Sequence, residues 1–319
     1  MNSQLNLLVK DIESLSIDDN NLLSKAWKKS LLNIMTENDN NFNPLIKLMN
    51  YLIENKDLKN ENAYHNQKHT AEAVLSASYL LKNELTGNSL TKNGPLLLFS
   101  MLFHDVGHNG KNNTFDSELE LVAVNSMEQF ISKNESLKNF WKKKLEKEYG
   151  TLDSFVLKSK EIILGTEFLN GPKNNALNYN ERDILNQLKM LANEADVLPS
   201  CLSKLGPQRG LLLAQEQNNE SLGSWNSRLY FLEKLVTYKS KASEKLEIQK
   251  HIDYQIEEIK QLNPLKLDKA VKHTSFSNIA EQIDKLVNSK ELSQKLKEKI
   301  ISQRIYLEKK IDSINFKFD

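Results

Sequence analysis

Four of the six histidines in this sequence fall into two pairs with the same spacing. The pairs are His65/His69 and His104/His108, each of the form His-x-x-x-His. Random placement of six histidines in a chain of this length would give about 0.1 such pairs. Residues four apart lie on one face of a helix, so each pair presents two imidazoles in one direction. Imidazoles grouped in this way are typical of metal binding and of proton transfer.

The second pair follows the most apolar stretch of the chain. Residues 96–103 are apolar except for Ser100, and they lead directly into His104 and Asp105. Burying an imidazole and a carboxylate without partners is costly, and a bound cation is one of the few partners that satisfies both. The alternative is a core histidine that is hydrogen-bonded to a neighbouring carboxylate. The repeated spacing favours the cation.

Further ligands must then come from elsewhere in the chain. Asp196 is flanked by Ala195 and Val197 on an otherwise apolar helix face. The set His69, His104, Asp105 and Asp196 supplies two imidazole nitrogens and two carboxylates, which suits Zn²⁺, Mn²⁺ or Fe²⁺. The second oxygen of Asp105 could bridge to a harder ion such as Mg²⁺ or Mn²⁺, completed mainly by waters. The sequence therefore predicts a centre of two divalent metals.

Helices are predicted to position these residues. Gly and Pro are scarce, ten and six in all, and isoleucines recur at helical spacing from Ile248 to Ile259. Alternating strand-like runs are hard to find, so we predict a compact all-α, multi-helix bundle. The core helices are expected over 64–81, from Pro95 to the second histidine pair, and over 183–198, with a loop over 84–95. Two more are expected over 242–262 and 277–313.

Composition divides the chain into three parts. Residues 1–62 read as N-terminal helices joined by Asn/Asp-rich turns, 63–240 as the metal-dependent core, and 241–319 as a C-terminal helical extension. The apolar stripe in the last part is too irregular for a clean coiled coil. Packing back on the core is one reading of this helical pair, and a homodimer or protein-partner contact is the other.

Charge and cysteine content exclude several classes of protein. The chain has 43 basic and 42 acidic residues, which does not suggest nucleic acid or a membrane surface as a partner. Cys201 is the only cysteine, so no intrachain disulfide is possible. The N-terminus lacks the pattern of a signal peptide, and no apolar run is long enough to cross a membrane. We expect a cytoplasmic protein, with signal-independent secretion left open.

The histidine motifs resemble those of the class I 3′,5′-cyclic nucleotide phosphodiesterases, a branch of the HD metal-hydrolase superfamily. Residues 64–71, YHNQKHTA, are similar to the family's YHNxxHA motif. Residues 104–115, with Asn113 and Phe115, are similar to HDxxHPGxxNxF, and Ala195-Asp196 fits the fourth ligand. The resemblance covers roughly residues 60–236 and implies the family's helical fold. The chain is identified as a divergent member, for which we expect a bacterial source.

The resemblance also implies roles for individual residues. A metal-bridging hydroxide would attack the phosphorus of a 3′,5′-cyclic nucleotide to give the 5′-monophosphate, with His65 as the general acid. His108 would orient the hydroxide, and Asn113 would contribute to substrate binding. Tyr64, Glu128 and Glu167 would support the metal ligands without binding metal themselves. Glu128 corresponds to the glutamate of the family's LENHH segment, and Glu167 replaces the aspartate of its ATD motif. These departures fall in the water shell of the second metal.

The expected base pocket departs most from the family. Phe231 aligns with the phenylalanine on which the family stacks its purine, but Arg228 stands where the family has its purine-reading Gln. Pro199 replaces the asparagine expected three residues after Asp196. An Arg only donates hydrogen bonds, which would suit N7 and O6 of guanine or a second anionic group. The alternative is that Arg228 faces away from the pocket.

Three functions compete at this stage. The first is a phosphodiesterase that acts on a small-molecule phosphodiester, a cyclic nucleotide. The second is another HD-superfamily phosphohydrolase that acts on a different nucleotide, a signalling phosphate or a modified protein. The third is a catalytically weak regulatory module, which the intact motif at Tyr64, His65 and Asn66 disfavours.

Overall fold

The computed structural model describes residues 3–16, 19–53, 61–168, 180 and 182–262, and its regular elements there are helices. This confirms the all-α prediction. In chain order the helices are α1 (Ser3–Glu13), α2 (Leu22–Ile34), α3 (Phe42–Ile53), α4 (Gln67–Glu84), α5 (Gly87–Phe103), α6 (Glu118–Lys133), α7 (Glu135–Lys144), α8 (Glu146–Tyr149), α9 (Leu152–Leu164), α10 (Ile184–Cys201), α11 (Gly206–Glu216), α12 (Trp225–Tyr230), α13 (Lys241–Lys245) and α14 (Ile248–Leu262). A 3₁₀ turn at Glu220–Gly223 precedes α12, and a π-helical turn at Phe231–Leu235 follows it.

Helix α4 lies at the centre of the bundle. It is buried on all sides from His69 to Leu81 and packs against α2, α5 and α10. Small residues along it, Ala71, Ala73 and Ala77 among them, let the neighbouring helices approach closely. The helix begins at Gln67 rather than near Tyr64, because the Asn66 side chain accepts hydrogen bonds from the Lys68 and His69 backbone N–H groups and so caps it.

Helix α5 differs from its prediction. The expected loop over 84–95 is confined to a short turn, because α5 begins at Gly87 and includes Pro95 in its interior. A proline inside a helix removes one backbone hydrogen bond, and this usually breaks the helix. Here residues 94–103 are all buried, so packing outweighs the lost bond. The helix therefore delivers His104 and Asp105 from the protein interior.

Polar contacts join the N-terminal helices to one another and to α4. Trp27 Nε1 donates to the Leu45 carbonyl at 2.9 Å and joins α2 to α3. The Tyr79 hydroxyl of α4 donates to Asp11 of α1 at 2.8 Å, and Lys29 of α2 pairs with the same carboxylate. Three helices, α1 to α3, precede residue 62 in the described ranges.

Two predicted boundaries on the C-terminal side are also corrected. Helix α10 continues past Pro199 to Cys201, and the helix expected over 242–262 is divided into α13 and α14 at Glu247, whose φ of 57° is left-handed. The predicted helix 277–313 lies outside the described residues. Within the described ranges, no helix combines the length and the apolar character that crossing a bilayer requires.

Candidate metal centre and proton donor

Four side chains from three elements meet at one end of α4. His69 comes from its first turn, His104 and Asp105 directly follow α5, and Asp196 comes from the C-terminal half of α10. His69 Nε2 lies 3.1 Å from Asp105 Oδ2 and 2.9 Å from Asp196 Oδ1, and His104 Nε2 lies 3.1 and 3.3 Å from the same two oxygens. One ligand atom from each residue falls within 4.8 Å of all the others. The structure thus brings the four predicted ligands together.

The hydrogen bonding of the two imidazoles fits a cation. The His104 Nδ1–H donates to the Met101 carbonyl at 2.8 Å, so Nε2 is the nitrogen that faces the carboxylates and that a cation would bind in place of a proton. Both Nε2 atoms are buried and make no well-directed hydrogen bond to any described residue. Buried nitrogens that converge with two carboxylates and lack hydrogen bonds of their own form a donor set suited to a divalent transition metal.

The electrostatics of this cluster point the same way. Burial lowers the pKa of His69, but Asp105 and Asp196 outweigh that effect and raise it to about 9. Burial would raise the pKa of Asp196, yet the two histidines hold it well below its usual range. Both carboxylates are therefore ionised at neutral pH. A cation bound here must displace protons from the imidazoles, so binding should weaken as pH falls.

His65 lies beside this cluster with a carboxylate of its own. Its Nδ1 hydrogen-bonds to Glu216 Oε1 at 2.5 Å, and Glu216 Oε2 accepts the backbone N–H groups of Tyr64 and His65 at 2.7 and 2.9 Å. Burial raises the pKa of Glu216, but these hydrogen bonds bring it below its ordinary value. The contact fixes the ring and leaves Nε2 as the nitrogen available for proton transfer.

His108 stacks on His65 and is held neutral. The two ring centroids are 3.7 Å apart, with planes inclined by 20°. Burial and the neighbouring His65 lower the pKa of His108 to about 4. The Gly110 N–H donates to His108 Nδ1 at 3.0 Å, so the proton of the neutral ring is on Nε2. Gly110 has a φ of 76°, and a Cβ there would lie 3.1 Å from Glu216 Cγ, so a side chain would press on the partner of His65.

A buried ion pair holds α11, which carries Glu216, against α4, which carries His69. Arg209 donates through Nε to Glu72 Oε2 at 3.0 Å and through Nη2 to Oε1, and both side chains are almost fully buried. Such bidentate pairs fix orientation as well as distance. Tyr64 adds a contact to α10, since its hydroxyl lies 2.9 Å from Ser200 Oγ.

Two further carboxylates lie on the Asp105 side of the cluster. Burial raises the pKa of Glu120, and the nearby Glu167 and Asp105 raise it further. Glu167 accepts hydrogen bonds from the Ser117 backbone N–H and hydroxyl at 3.1 and 2.7 Å, which holds Ser117 at its left-handed φ of 58°. These contacts fix the start of α6. The role of Glu167 behind the second metal stays a prediction.

Two other sequence predictions on this side are placed differently. The side chain of Glu128 is 45% exposed and lies 3.7 Å from Lys160, and the α6 carboxylate that is close to Asp105 is Glu120. Asn113 accepts from the Leu119 N–H and donates to Glu120, each at 3.0 Å, so its amide is engaged in the start of α6. Its predicted contact with substrate stays a prediction.

In the predicted base pocket, Phe231 packs near a second aromatic ring, and Arg228 binds backbone carbonyls. The Phe231 and Phe168 rings lie 6.1 Å apart with planes inclined by 26°, and Phe168 follows Glu167 directly in the chain. Arg228 Nη1 donates to the Ser200 carbonyl at 3.0 Å, at the end of α10. The alternative in which Arg228 is directed elsewhere thus has support from its contacts.

Sequence reasoning missed Glu216, Glu120 and the Glu72–Arg209 pair. Glu216 is 151 residues from His65, and no local spacing relates the two. Glu120 does have a signal: it lies within the first turn of α6, directly after the segment that resembles the family motif. An Arg inside an otherwise weakly charged helix was the remaining hint of a buried pair.

Comparisons with known proteins agree with this geometry. Residues 64–125 match the family model described as 3′5′-cyclic nucleotide phosphodiesterase. The cGMP-specific 3′,5′-cyclic phosphodiesterase gamma of Plasmodium yoelii is 26% identical, and the match covers 62% of this chain and 30% of that protein. The chain thus spans less than a third of the length of this curated relative. None of these matches tests the expected bacterial source.

The fold comparison extends further along the chain. Two crystal structures of the phosphodiesterase domain of the rhodopsin phosphodiesterase from the choanoflagellate Salpingoeca rosetta superpose with TM-scores of 0.59 and 0.55, at 16% and 17% identity. The superpositions cover 84% and 83% of this chain and 94% and 92% of those domains. At such low identity the likeness shows the fold. Residues 64–125 thus carry the similarity to the 3′5′-cyclic nucleotide phosphodiesterase family model, and the chain has the all-helical fold of these phosphodiesterase domains.

Proposed function

We propose that this protein hydrolyses a 3′,5′-cyclic nucleotide to the 5′-monophosphate. One observation carries the proposal: a four-ligand His/Asp cluster lies directly beside His65, whose Nδ1 is held by Glu216. A metal-binding protein without chemistry would have no use for a positioned proton donor at the edge of its ligands. The proposed donor protonates the departing 3′ oxygen through Nε2, while Glu216 stabilises the ring in position.

The residues divide the remaining work between them. His69, His104, Asp105 and Asp196 would hold a Zn²⁺, Mn²⁺ or Fe²⁺ ion, and Asp105 with the nearby Glu120 and Glu167 would hold a Mg²⁺ or Mn²⁺ ion and its waters. Bound metals of this kind activate water and neutralise the charge of a phosphoryl group. Neutral His108, with its proton on Nε2, donates a hydrogen bond toward the attacking oxygen and so orients it. The face of Phe231 supports the base.

Another HD-superfamily phosphohydrolase activity is the alternative. It would need the four ligands but not His65, Glu216 or Phe231. We further propose that the chain acts in the cytoplasm, and that residues 63–240 form the catalytic core between an N-terminal part, 1–62, and a C-terminal part, 241–319. The C-terminal part either packs on the core or binds a second copy or a partner protein.

Metal content tests the first part of the proposal. Purified protein should contain transition metal by elemental analysis, and His69→Ala and Asp196→Ala should each lower the bound stoichiometry sharply. Glu128→Ala serves as the matched control because its carboxylate is exposed and lies beside Lys160. Unchanged metal in both ligand variants would remove the metal-centre assignment.

A substrate screen tests the second part. Cyclic AMP, cyclic GMP, cyclic dinucleotides and bis(p-nitrophenyl) phosphate are supplied to the metal-loaded protein, and product is followed by chromatography. Turnover of a 3′,5′-cyclic nucleotide supports the proposal. Hydrolysis of the synthetic diester without turnover of any cyclic nucleotide would favour the alternative.

A further inference from the structure

Arg228 stands at the position predicted from sequence to face the edge of a base stacked on Phe231. It lies three residues before Phe231 in a continuous helical segment, α12 and the π-helical turn, so the two side chains leave the same face. A donor or acceptor at that position could select among bases by hydrogen bonding. What this residue contacts therefore bears on substrate choice.

Both terminal nitrogens of Arg228 are engaged elsewhere. Nη1 donates to the Ser200 carbonyl at 3.0 Å, and Nη2 donates to the Leu202 carbonyl at 3.4 Å and to Gln255 Oε1 at 2.5 Å. Ser200 and Leu202 stand at the C-terminal end of α10, where unpaired carbonyls and the helix dipole favour a positive charge. The guanidinium thus acts as a C-terminal cap for α10.

Gln255 completes this arrangement and leaves no spare amide. It lies buried on α14 and accepts from Arg228, while its Nε2 donates to the Cys201 carbonyl at 2.7 Å and to the His251 carbonyl at 3.4 Å. The Ser203 N–H donates to His251 Nε2 at 3.1 Å and ties the same two helices together. The amide of Gln255 therefore has both ends committed to protein groups.

A glycine, Gly206, leaves room for the Arg228 guanidinium. A Cβ on Gly206 would lie 2.2 Å from Nη1 and 2.4 Å from Nη2 of Arg228. Such contacts are far below van der Waals distance, so a residue without a side chain is required there. Pro199, on the last turn of α10, adds no hydrogen-bonding side chain.

We propose that Arg228 joins α10 to α14 instead of reading the base, and that the site consequently discriminates poorly between purine bases. This inference rests on the proposed function. Substrate is then selected by its cyclic phosphate and by a flat ring that stacks on Phe231. A bidentate contact to a base edge is worth about 5- to 150-fold in discrimination. Its absence predicts kcat/KM values for cyclic AMP and cyclic GMP within about tenfold of each other.

The test combines kinetics with thermal unfolding. The metal-loaded protein and its Arg228→Met and Gln255→Leu variants are assayed with both cyclic nucleotides, and the Tm of each protein is measured. Each variant should lose about 3–8 °C in Tm, since buried polar partners are left unpaired. The cyclic AMP to cyclic GMP ratio of kcat/KM should stay within about threefold of the wild-type value. Tyr254→Phe is the control, because Tyr254 is exposed on α14 next to Gln255. It should leave the Tm and the kcat/KM ratio unchanged.

Two results would overturn the proposal. One is a wild-type preference above tenfold for either purine. The other is a change above threefold in that ratio in Arg228→Met with an unchanged Tm, which would make the arginine a base reader. Gln255→Leu provides the same comparison if Arg228→Met does not fold. A protein that turns over neither nucleotide but hydrolyses the synthetic diester overturns the proposed function instead, and this substrate inference with it.

Discussion

The two sides of the site are built in opposite ways. On the metal side, charged and ionisable groups converge on a common point, and their Nε2 atoms and carboxylate oxygens lie within hydrogen-bond distance of one another. On the aromatic side, the guanidinium of Arg228 is directed to helix-end carbonyls and a buried amide. The difference teaches that charged residues predicted for one site can serve chemistry in one group and hold helices together in another. Substitutions on the metal side should cost catalysis with little loss of stability, and substitutions on the aromatic side the reverse.

The largest expected effect is that of His65→Ala. Loss of the proton donor should lower kcat by about 10²- to 10⁴-fold, which is the usual contribution of general acid catalysis. Metal content and Tm should stay close to wild type, because His65 is not among the four ligands. Steady-state kinetics together with elemental analysis checks this. If His65→Ala loses its metal along with its activity, His65 helps to hold the metal and is not a separate proton donor.

A smaller effect is expected on the second metal. Glu120→Gln should weaken Mg²⁺ or Mn²⁺ binding by about 10- to 100-fold, as is typical for groups that support metal ligands. Isothermal titration with Mn²⁺ on protein that holds its first metal measures this directly. Glu128→Gln on the same helix is the matched control and should leave the affinity unchanged. Weaker binding in Glu128→Gln together with unchanged binding in Glu120→Gln would instead support Glu128, the glutamate predicted from the sequence.

The smallest effect is a difference in pH dependence on the aromatic side. Burial and the nearby Arg228 charge lower the pKa of His251 to about 4, below the value near 6.5 that it has when unfolded. Protons therefore favour the unfolded chain, and the stability present above pH 6.5 is lost as pH falls from 6.5 to 4. His251→Gln keeps an acceptor for the Ser203 N–H without the charge. Its free energy of unfolding, from urea titrations at pH 7 and pH 4.5, should fall by about 1–3 kcal/mol less than that of wild type. Equal losses in both proteins would exclude His251 as the cause.

The same contrast explains what the sequence could predict. His65, His69, His104, Asp105 and His108 were identifiable because their spacing repeats and an apolar run precedes the second pair. The common helical face predicted for each pair was wrong, since α4 begins at Gln67, after His65, and α5 ends at Phe103, before His104. Helix type was likewise predictable from periodicity. Pro95 was misread because its local preference was overridden by packing of the residues around it. Glu216 and the direction of Arg228 could not be predicted, since each depends on a partner that only the folded chain brings near.

The distance along the chain between His65 and Glu216 has a consequence for how the site comes into being. At about 5–20 residues per second, a ribosome would need roughly 8–30 s to make the 151 residues between them. During that time the imidazole would have been synthesised while the carboxylate that orients it did not yet exist. A growing chain would thus carry the first three metal ligands before Asp196, and all four ligands before a positioned acid. The site could become active only after α11 has been synthesised and has packed against α4.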